Sequence, residues 1–401
     1  MIDRGGTTQR LAKAVTGAAL TLALSGCAGA SPSVSSGNGA SVTPGAAESA
    51  AASPSGSATL DELLPGSWTA VEGTIEVGVG HTATLLRDSR VLLAGGVTST
   101  TDWSSAELYD PKTGSWAAAG NMIEGRAGHT ATRLHDGTVL VAGGYAYTDS
   151  PTTAELFDPN TGTWTAAGNM IEGRAGHTAT LLHDGTVLVA GGGLASAELY
   201  DPVSGTWTAA GTMIEVRSSQ TATLLPDGRV LVAGGEVTCG FECHSPLATA
   251  ELYDPSRRSW TATGDMIGAR TFHTAALLRD GSVLVAGGCC GSGYLEPIAS
   301  AELFDPSTGS WTGAAAMIEA GGTTATLLPD GRVLVAGSGG GQVSAELYDV
   351  DSGTWAATGN MAEARAGDTA TLLPDGRVLL VGGSSDGASA SAQLYDPRAG
   401  S

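Results

Sequence analysis

Lysine is almost missing from this 401-residue chain, occurring only at Lys13 and Lys112. Positive charge of any kind is scarce: 19 Lys and Arg stand against 40 Asp and Glu, a formal net charge of −21. Binding a polyphosphate requires a basic face, so nucleic acid is excluded as a partner. The acidic surplus reads instead as a solvated exterior that keeps the folded chain soluble, with a cation-binding role as the alternative, and a monomer is expected. Long apolar runs are missing too. The one candidate, residues 14–24, is shorter than a bilayer crossing requires. Nor is there a phosphate-cradling glycine loop, a Ser/His/Asp nucleophile elbow or a His-rich metal motif. No cofactor and no metal are expected.

Glycine, in contrast, is abundant at 60 residues, and its placement is periodic. The stretch from Gly128 to Trp164 reads as four short strands. His129-Thr-Ala-Thr132 is small and alternating, Asp136-Gly137 reverses the chain, and Val139-Leu-Val-Ala142 is apolar throughout and ends on Gly143-Gly144. Ala154-Glu-Leu-Phe157 follows, then the turn Asp158-Pro-Asn-Thr-Gly162, then Trp164. Such a meander cannot bury both of its faces and must stack on copies of itself. The copies are present. Glycine pairs recur at Gly95, Gly143, Gly191, Gly234, Gly287 and Gly382, with Gly337-Ser338 as a seventh. The aromatic-Asp step recurs at Tyr109, Phe157, Tyr200, Tyr253, Phe304, Tyr348 and Tyr395. Seven tryptophans keep the same beat: Trp68, Trp116, Trp164, Trp207, Trp260, Trp311 and Trp355, spaced by 48 and then 43 residues at the second and third steps.

A glycine pair after an apolar strand, then Tyr-Asp-Pro, then Trp, resembles the kelch repeat. The phrase from His-Thr-Ala-Thr-Leu-Leu to Val-Ala-Gly-Gly is similar to the galactose-oxidase-like branch of bacterial kelch proteins. No blade carries the Trp-Asp dipeptide of a WD40 repeat. The resemblance covers Trp68 to Pro397. It implies an all-β fold, a seven-bladed kelch propeller of four-stranded antiparallel blades. Trp68 precedes the first complete copy and the last copy stops at Tyr395-Asp-Pro397 without a Trp, so an N-terminal outer strand is expected to close the ring. Small residues on the first strand and Trp on the fourth suit blades that taper toward the axis.

Ahead of the ring, residues 1–26 read as a secretory signal, with Arg4, Arg10 and Lys13 before the apolar run. Leu24-Ser-Gly-Cys27 resembles the bacterial lipobox, which implies lipidation of Cys27 and a membrane anchor; ordinary cleavage near Ala28-Gly-Ala30 is the alternative. Residues 27–60, rich in Ser, Ala, Gly and Pro, cannot offset their ordering entropy and are expected to form a disordered tether with a reach of about 30 Å. The propeller takes residues 61–401. The expected location is the outer side of a bacterial cytoplasmic membrane or the cell surface.

The turns divide the two faces of the ring. Asp-Gly and Asp-Pro turns share one face and are uniformly short, whereas the connections after the glycine pairs vary from Gly193–Ser196 to Glu236–Thr249. Function in such scaffolds concentrates in variable loops on a rigid frame. That rim carries Trp103, Tyr145, Tyr147, Asp149, Phe241, His244, Tyr294 and Glu296, aromatics and acids suited to a glycan or an extended protein segment, though these residues also read as plain loop decoration. Cys239, Cys243, Cys289 and Cys290 lie on it as well and, in an oxidising compartment, are read first as disulfides of open pairing, with a thiolate metal site including His244 as the alternative. His81, His129, His177 and His273 share a column with Gln220, Thr323 and Asp368, and read as strand-end hydrogen bonders. Arg126, Arg174, Arg217, Arg270 and Arg365, with neighbouring glutamates, read as inter-blade ion pairs. The function that follows is a non-catalytic, membrane-anchored binding propeller for a glycan or envelope protein. A carbohydrate-active enzyme of galactose-oxidase or sialic-acid mutarotase type is the alternative, although no Cys/Tyr/His set matches the oxidase motif.

Overall fold

A computed structural model describes residues 66–71, 78–97, 103–146, 149–238, 244–290, 296–337, 343–365, 367–383 and 391–399. The expected leader, the tether and Cys27 lie outside the described residues. The described chain is all-β and without helix, in seven four-stranded antiparallel sheets plus two two-stranded ribbons. The first blade runs Thr82–Leu85, Val91–Ala94, Ser105–Asp110 and Ser115–Asn121. The seventh takes Thr369–Leu372, Val378–Val381 and Ala392–Asp396 from the end of the chain, and its outer strand, Ser67–Val71, from the beginning. Trp68 pairs with Tyr395 in that register, as the unmatched Trp required.

Why the second strand is apolar on both faces is visible in the packing. Leu92 and Ala94 of blade 1 point to one side and meet Val139, Val141 and Phe157 of blade 2. Val91 and Leu93 point to the other and meet Leu379 and Val381 of blade 7. Side chains alternate across a strand, so a strand packed between two sheets has no polar side. Seven such clusters join the seven blades into a closed ring. First strands of neighbouring blades touch around the axis, the first blade with the seventh included.

The outer edge is held by the tryptophans. Each stacks on the aromatic of its own third strand with ring centroids 4.8–5.0 Å apart, Trp68 on Tyr395 among them. Indole N–H groups reach back to the preceding blade: Trp164 Nε1 donates to Ala119 O at 3.2 Å and Trp207 Nε1 to Ala167 O at 3.1 Å. Tilted aromatic pairs of this kind contribute about 0.5–1.5 kcal/mol beyond area burial. Asp-Pro turns are tied by the aspartate, Asp158 Oδ1 accepting from Asn160 N at 2.9 Å.

The arginine column differs from expectation. Arg126 lies on the crossover into blade 2, and its Nη2 donates to Glu155 Oε1, on the third strand of the same blade, at 2.8 Å. The ion pairs are therefore within blades and not between them. Its backbone makes the inter-blade link, with Gly96 N of blade 1 donating to Arg126 O at 3.0 Å. The reason is reach: the crossover hugs the previous blade's glycine pair while the long side chain extends under its own blade. Glu124, 3.7 Å away, is a secondary partner.

Candidate functional site at the channel mouth

Above the first strands, the crossovers form an inner ring of backbone. Gly128 N donates to Gly80 O at 2.8 Å, Gly176 N to Gly128 O at 3.3 Å, Ser219 N to Gly176 O at 3.0 Å and Phe272 N to Ser219 O at 3.3 Å. Every residue of this ring has a positive φ: Gly80 77°, Gly128 61°, Gly176 64°, Ser219 55° and Phe272 52°. Glycine adopts that conformation without penalty, but a phenylalanine there is a true outlier, costing on the order of 1–3 kcal/mol. Phe272 nevertheless occupies it, with its side chain partly exposed.

Around this neck sit the residues that follow the glycine pairs, each bridged to a crossover: Val97 to Val79, Tyr145 to Ala127, Glu236 to Ser218 and Cys289 to Thr271. Tyr145 is 37 % exposed, and burial, then the charge of Glu236, raises its phenol above the usual range. Glu236 itself is buried. A tyrosine of blade 2 feels a carboxylate of blade 4 because blade 3 turns directly through Gly193 and raises no long loop between them. Phe272, Ser219 and Glu236 thus lie together at the mouth, linked through Ser218–Glu236 and Ser219–Phe272 backbone bonds, and Tyr145 lies within reach of the Glu236 charge.

Of the rim residues expected from sequence, Tyr145 is at this mouth, Asp149 is exposed on the connection of blade 2, and Glu296 is exposed on the short ribbon of blade 5, opposite Cys290. Trp103 is corrected: it is buried, its carbonyl accepts from Arg126 N at 3.1 Å, and Gly125 packs on it, so it offers no face to a ligand. His244 pairs with Thr238 through its backbone, and its side chain lies outside the described residues, as do Tyr147, Phe241, Tyr294, Cys239 and Cys243. The set of four bridged cysteines is corrected in one member. Cys290 is a free thiol, half-buried, while Cys289 is fully buried. The two are consecutive in a short ribbon, where alternation sends them to opposite faces.

Below the mouth, the histidine column joins blades. Thr82 Oγ1 pairs with His129 Nε2 at 2.9 Å, Thr130 Oγ1 with His177 Nε2 at 3.0 Å, Thr221 Oγ1 with His273 Nε2 at 3.0 Å, and Thr369 Oγ1 with His81 Nε2 at 2.9 Å. Burial lowers the imidazoles, to about 4 for His81 and about 3 for His129, His177 and His273, and in those three a nearby arginine adds to it where Arg126, Arg174 and Arg270 approach. At blade 7 the column holds Asp368, whose Oδ1 accepts from Thr323 Oγ1 at 2.6 Å.

Two repeats match the Kelch motif family, residues 126–171 and 270–318. An F-box/kelch-repeat protein of Arabidopsis thaliana is 35 % identical over 60 residues, 15 % of this chain and 13 % of that protein. Among solved structures, a fungal alcohol oxidase of the AA5 family, in complex with copper, superposes with a TM-score of 0.68 at 21 % identity, covering 83 % of this chain and 76 % of that one. The fold and the repeats thus define the class: a seven-bladed β-propeller carrying kelch motifs, with a galactose-oxidase-like structural neighbour. Among the described residues no three His, Cys, Asp or Glu side chains converge to hold a metal, and the histidines of the column spend Nε2 on threonine hydroxyls.

Sequence reading missed Phe272 and Glu236. Their signal was available: Phe272 stands where five other copies have glycine (Gly80, Gly128, Gly176, Gly322 and Gly367), immediately before the histidine column.

Proposed function

We propose that the protein is a non-catalytic, extracytoplasmic binding propeller, tethered to a bacterial membrane through a lipid on Cys27, that takes a glycan at the channel mouth and the variable rim around it. The observation that carries this reading is Phe272, a bulky residue held in a glycine conformation where its ring is partly exposed. Strain of that kind persists where function needs it. Phe272 and Tyr145 supply aromatic surface of the sort that stacks on a sugar ring, and the buried charge of Glu236 favours polar groups placed near it. Four further proposals go with it: residues 1–26 are removed on export, Asp149 and Glu296 contribute polar contacts, the protein acts as a monomer, and Cys289 is bridged to Cys239 or Cys243 of blade 4.

The test is retention on a glycan array and on an envelope-protein panel, comparing the parent with Phe272→Gly. Glycine relieves the backbone, so stability is expected to hold or rise by up to about 1 kcal/mol while glycan retention drops at least tenfold. Equal retention by the variant would remove the mouth as the site, and retention only on the protein panel would replace the glycan with a protein partner. Peptide mapping without reduction is expected to find Cys290 alkylated and Cys289 linked to the 239–243 segment. Replacement of Cys27 by Ser is expected to move the protein from the membrane fraction to the soluble exported fraction.

A further inference from the structure

Four blades build the same receptor for a guanidinium. In blade 2 Arg126 Nη1 donates to Gly143 O at 2.8 Å and Thr153 O at 3.1 Å, and Nη2 donates to Thr153 Oγ1 at 3.2 Å and Glu155 Oε1 at 2.8 Å. Blades 3, 4 and 5 repeat this set with Arg174, Arg217 and Arg270, and all four arginines are buried. The glutamate is fixed independently, by two backbone N–H groups of the crossover, Ile123 N at 2.6 Å and Glu124 N at 3.0 Å in blade 2.

Blade 6 keeps the receptor and lacks the arginine. Its crossover, Met317-Ile-Glu-Ala-Gly-Gly-Thr323, has seven residues where Met122–His129 has eight, and a glycine takes the arginine's place: Gly321 O accepts from Gly288 N at 3.2 Å as Arg126 O does from Gly96 N. Glu346 is still held as its counterparts are, by Ile318 N at 2.8 Å and Glu319 N at 2.7 Å, and is still buried. Where the guanidinium would stand there is a small recess open to solvent, lined by Gly337, Ser344, Glu346 and Glu319. These are the positions of Gly143, Thr153, Glu155 and Glu124, every residue within reach of Arg126 in blade 2. Burial, opposed by the two N–H groups, raises the Glu346 carboxyl, as expected of an anion whose cation has been taken away. Asp368 of blade 7 lies against Gly337. Its Oδ2 is buried without a partner, and its Oδ1 would lie 2.6 Å from a Cβ on Gly337. Blade 1, with Gly78 in the arginine position, opens the corresponding recess over Gly95, Ser105 and Glu107.

We propose that the blade 6 recess binds a guanidinium group supplied from outside the chain, either a free alkylguanidine or an arginine side chain of a partner. The shape and acceptors are those that four sister blades fill with arginine, and Glu319, exposed at the opening, gives access from solvent. A planar five-donor cation matches two carbonyls, a hydroxyl and a carboxylate; a compact ammonium satisfies fewer of them. This inference is independent of the glycan reading.

Calorimetric titration of the intact protein with agmatine and with an acetylated, amidated Gly-Arg-Gly peptide tests it. Saturable binding of at least one equivalent is expected, with n-butylammonium at least about tenfold weaker. Binding of both probes points to a partner's side chain, and agmatine alone points to a free alkylguanidine. Inserting Arg between Ala320 and Gly321 restores the sister-blade crossover and is expected to abolish one equivalent with no fall in melting temperature. Glu346→Gln is expected to weaken that equivalent at least about tenfold. Absence of saturable binding to the parent, or unchanged stoichiometry and affinity in both variants, overturns the proposal.

Discussion

Asp368 is a carboxylate in a column of imidazoles, and the exchange has a pH signature. Four histidines pair across blades as neutral rings, buried and lowered to about 3–4, whereas burial pushes Asp368 up to about 6. The signs oppose. As pH falls below 6.5 the unfolded histidines take protons that the folded ones refuse, so stability drains away between about 6.5 and about 3. For Asp368 the folded form holds its proton longer than the unfolded one, so its contribution is complete below 3.8 and is lost as pH rises through about 6. Asp368→Asn should therefore stabilise by about 2–3 kcal/mol at pH 7.5 and by almost nothing at pH 3.5. Urea melts at the two pH values check this. An equal gain at both would mean that charge burial is not what Asp368 costs.

At the scale of the element, the blade is a strand meander with a guanidinium clasp under it. Arg174 is buried, and its Nη2 lies 2.8 Å from Glu198 Oε1. Arg174→Met removes the cation and leaves the carboxylate in place, which should cost about 3–5 kcal/mol at neutral pH. The double change Arg174→Met with Glu198→Leu should recover most of it, since a matched apolar pair avoids the stranded charge. Thermal melts of the two variants separate the outcomes, and equal loss in both would make the clasp a packing device alone. Most of this element was legible in the sequence. Asp136-Gly137, Val139–Ala142 and Trp164 each carry a local conformational or burial demand that repeats seven times. The clasp was half legible: the column of arginines was plain, but which glutamate each one reaches depends on how the crossover folds back. Trp103 misled because a loop aromatic next to a variable connection carries no local mark of burial. The channel mouth escaped because its signal is a departure from the repeat, a Phe in a glycine position and a missing residue in blade 6, and period counting averages departures away.

For the whole molecule, the decisive contact joins residues at opposite ends of the chain. Ser67–Val71 covers the free edge of Ala392–Asp396, Trp68 stacks on Tyr395 at 5.0 Å, and its indole N–H reaches Thr358 Oγ1 at 3.4 Å on blade 6. Gly66 N closes the seam further by donating to Ala399 O at 2.8 Å. A ring of sheets gains its last interface only when both ends meet, so the cost of opening it is not confined to one strand. Val71 packs in the cluster between blades 7 and 1, and Trp68 in that between blades 6 and 7. Deleting residues 66–71 should lower the melting midpoint by about 10 °C or more and leave an unpaired edge that invites strand addition from a second copy. Trp68→Ala keeps the backbone pairing and loses the stack and the N–H contact, so it should fall between parent and deletion while staying monomeric. Sedimentation beside thermal melts tells these apart. A deletion variant that melts with the parent and sediments as one chain would mean that six interfaces suffice and that the seam is decoration.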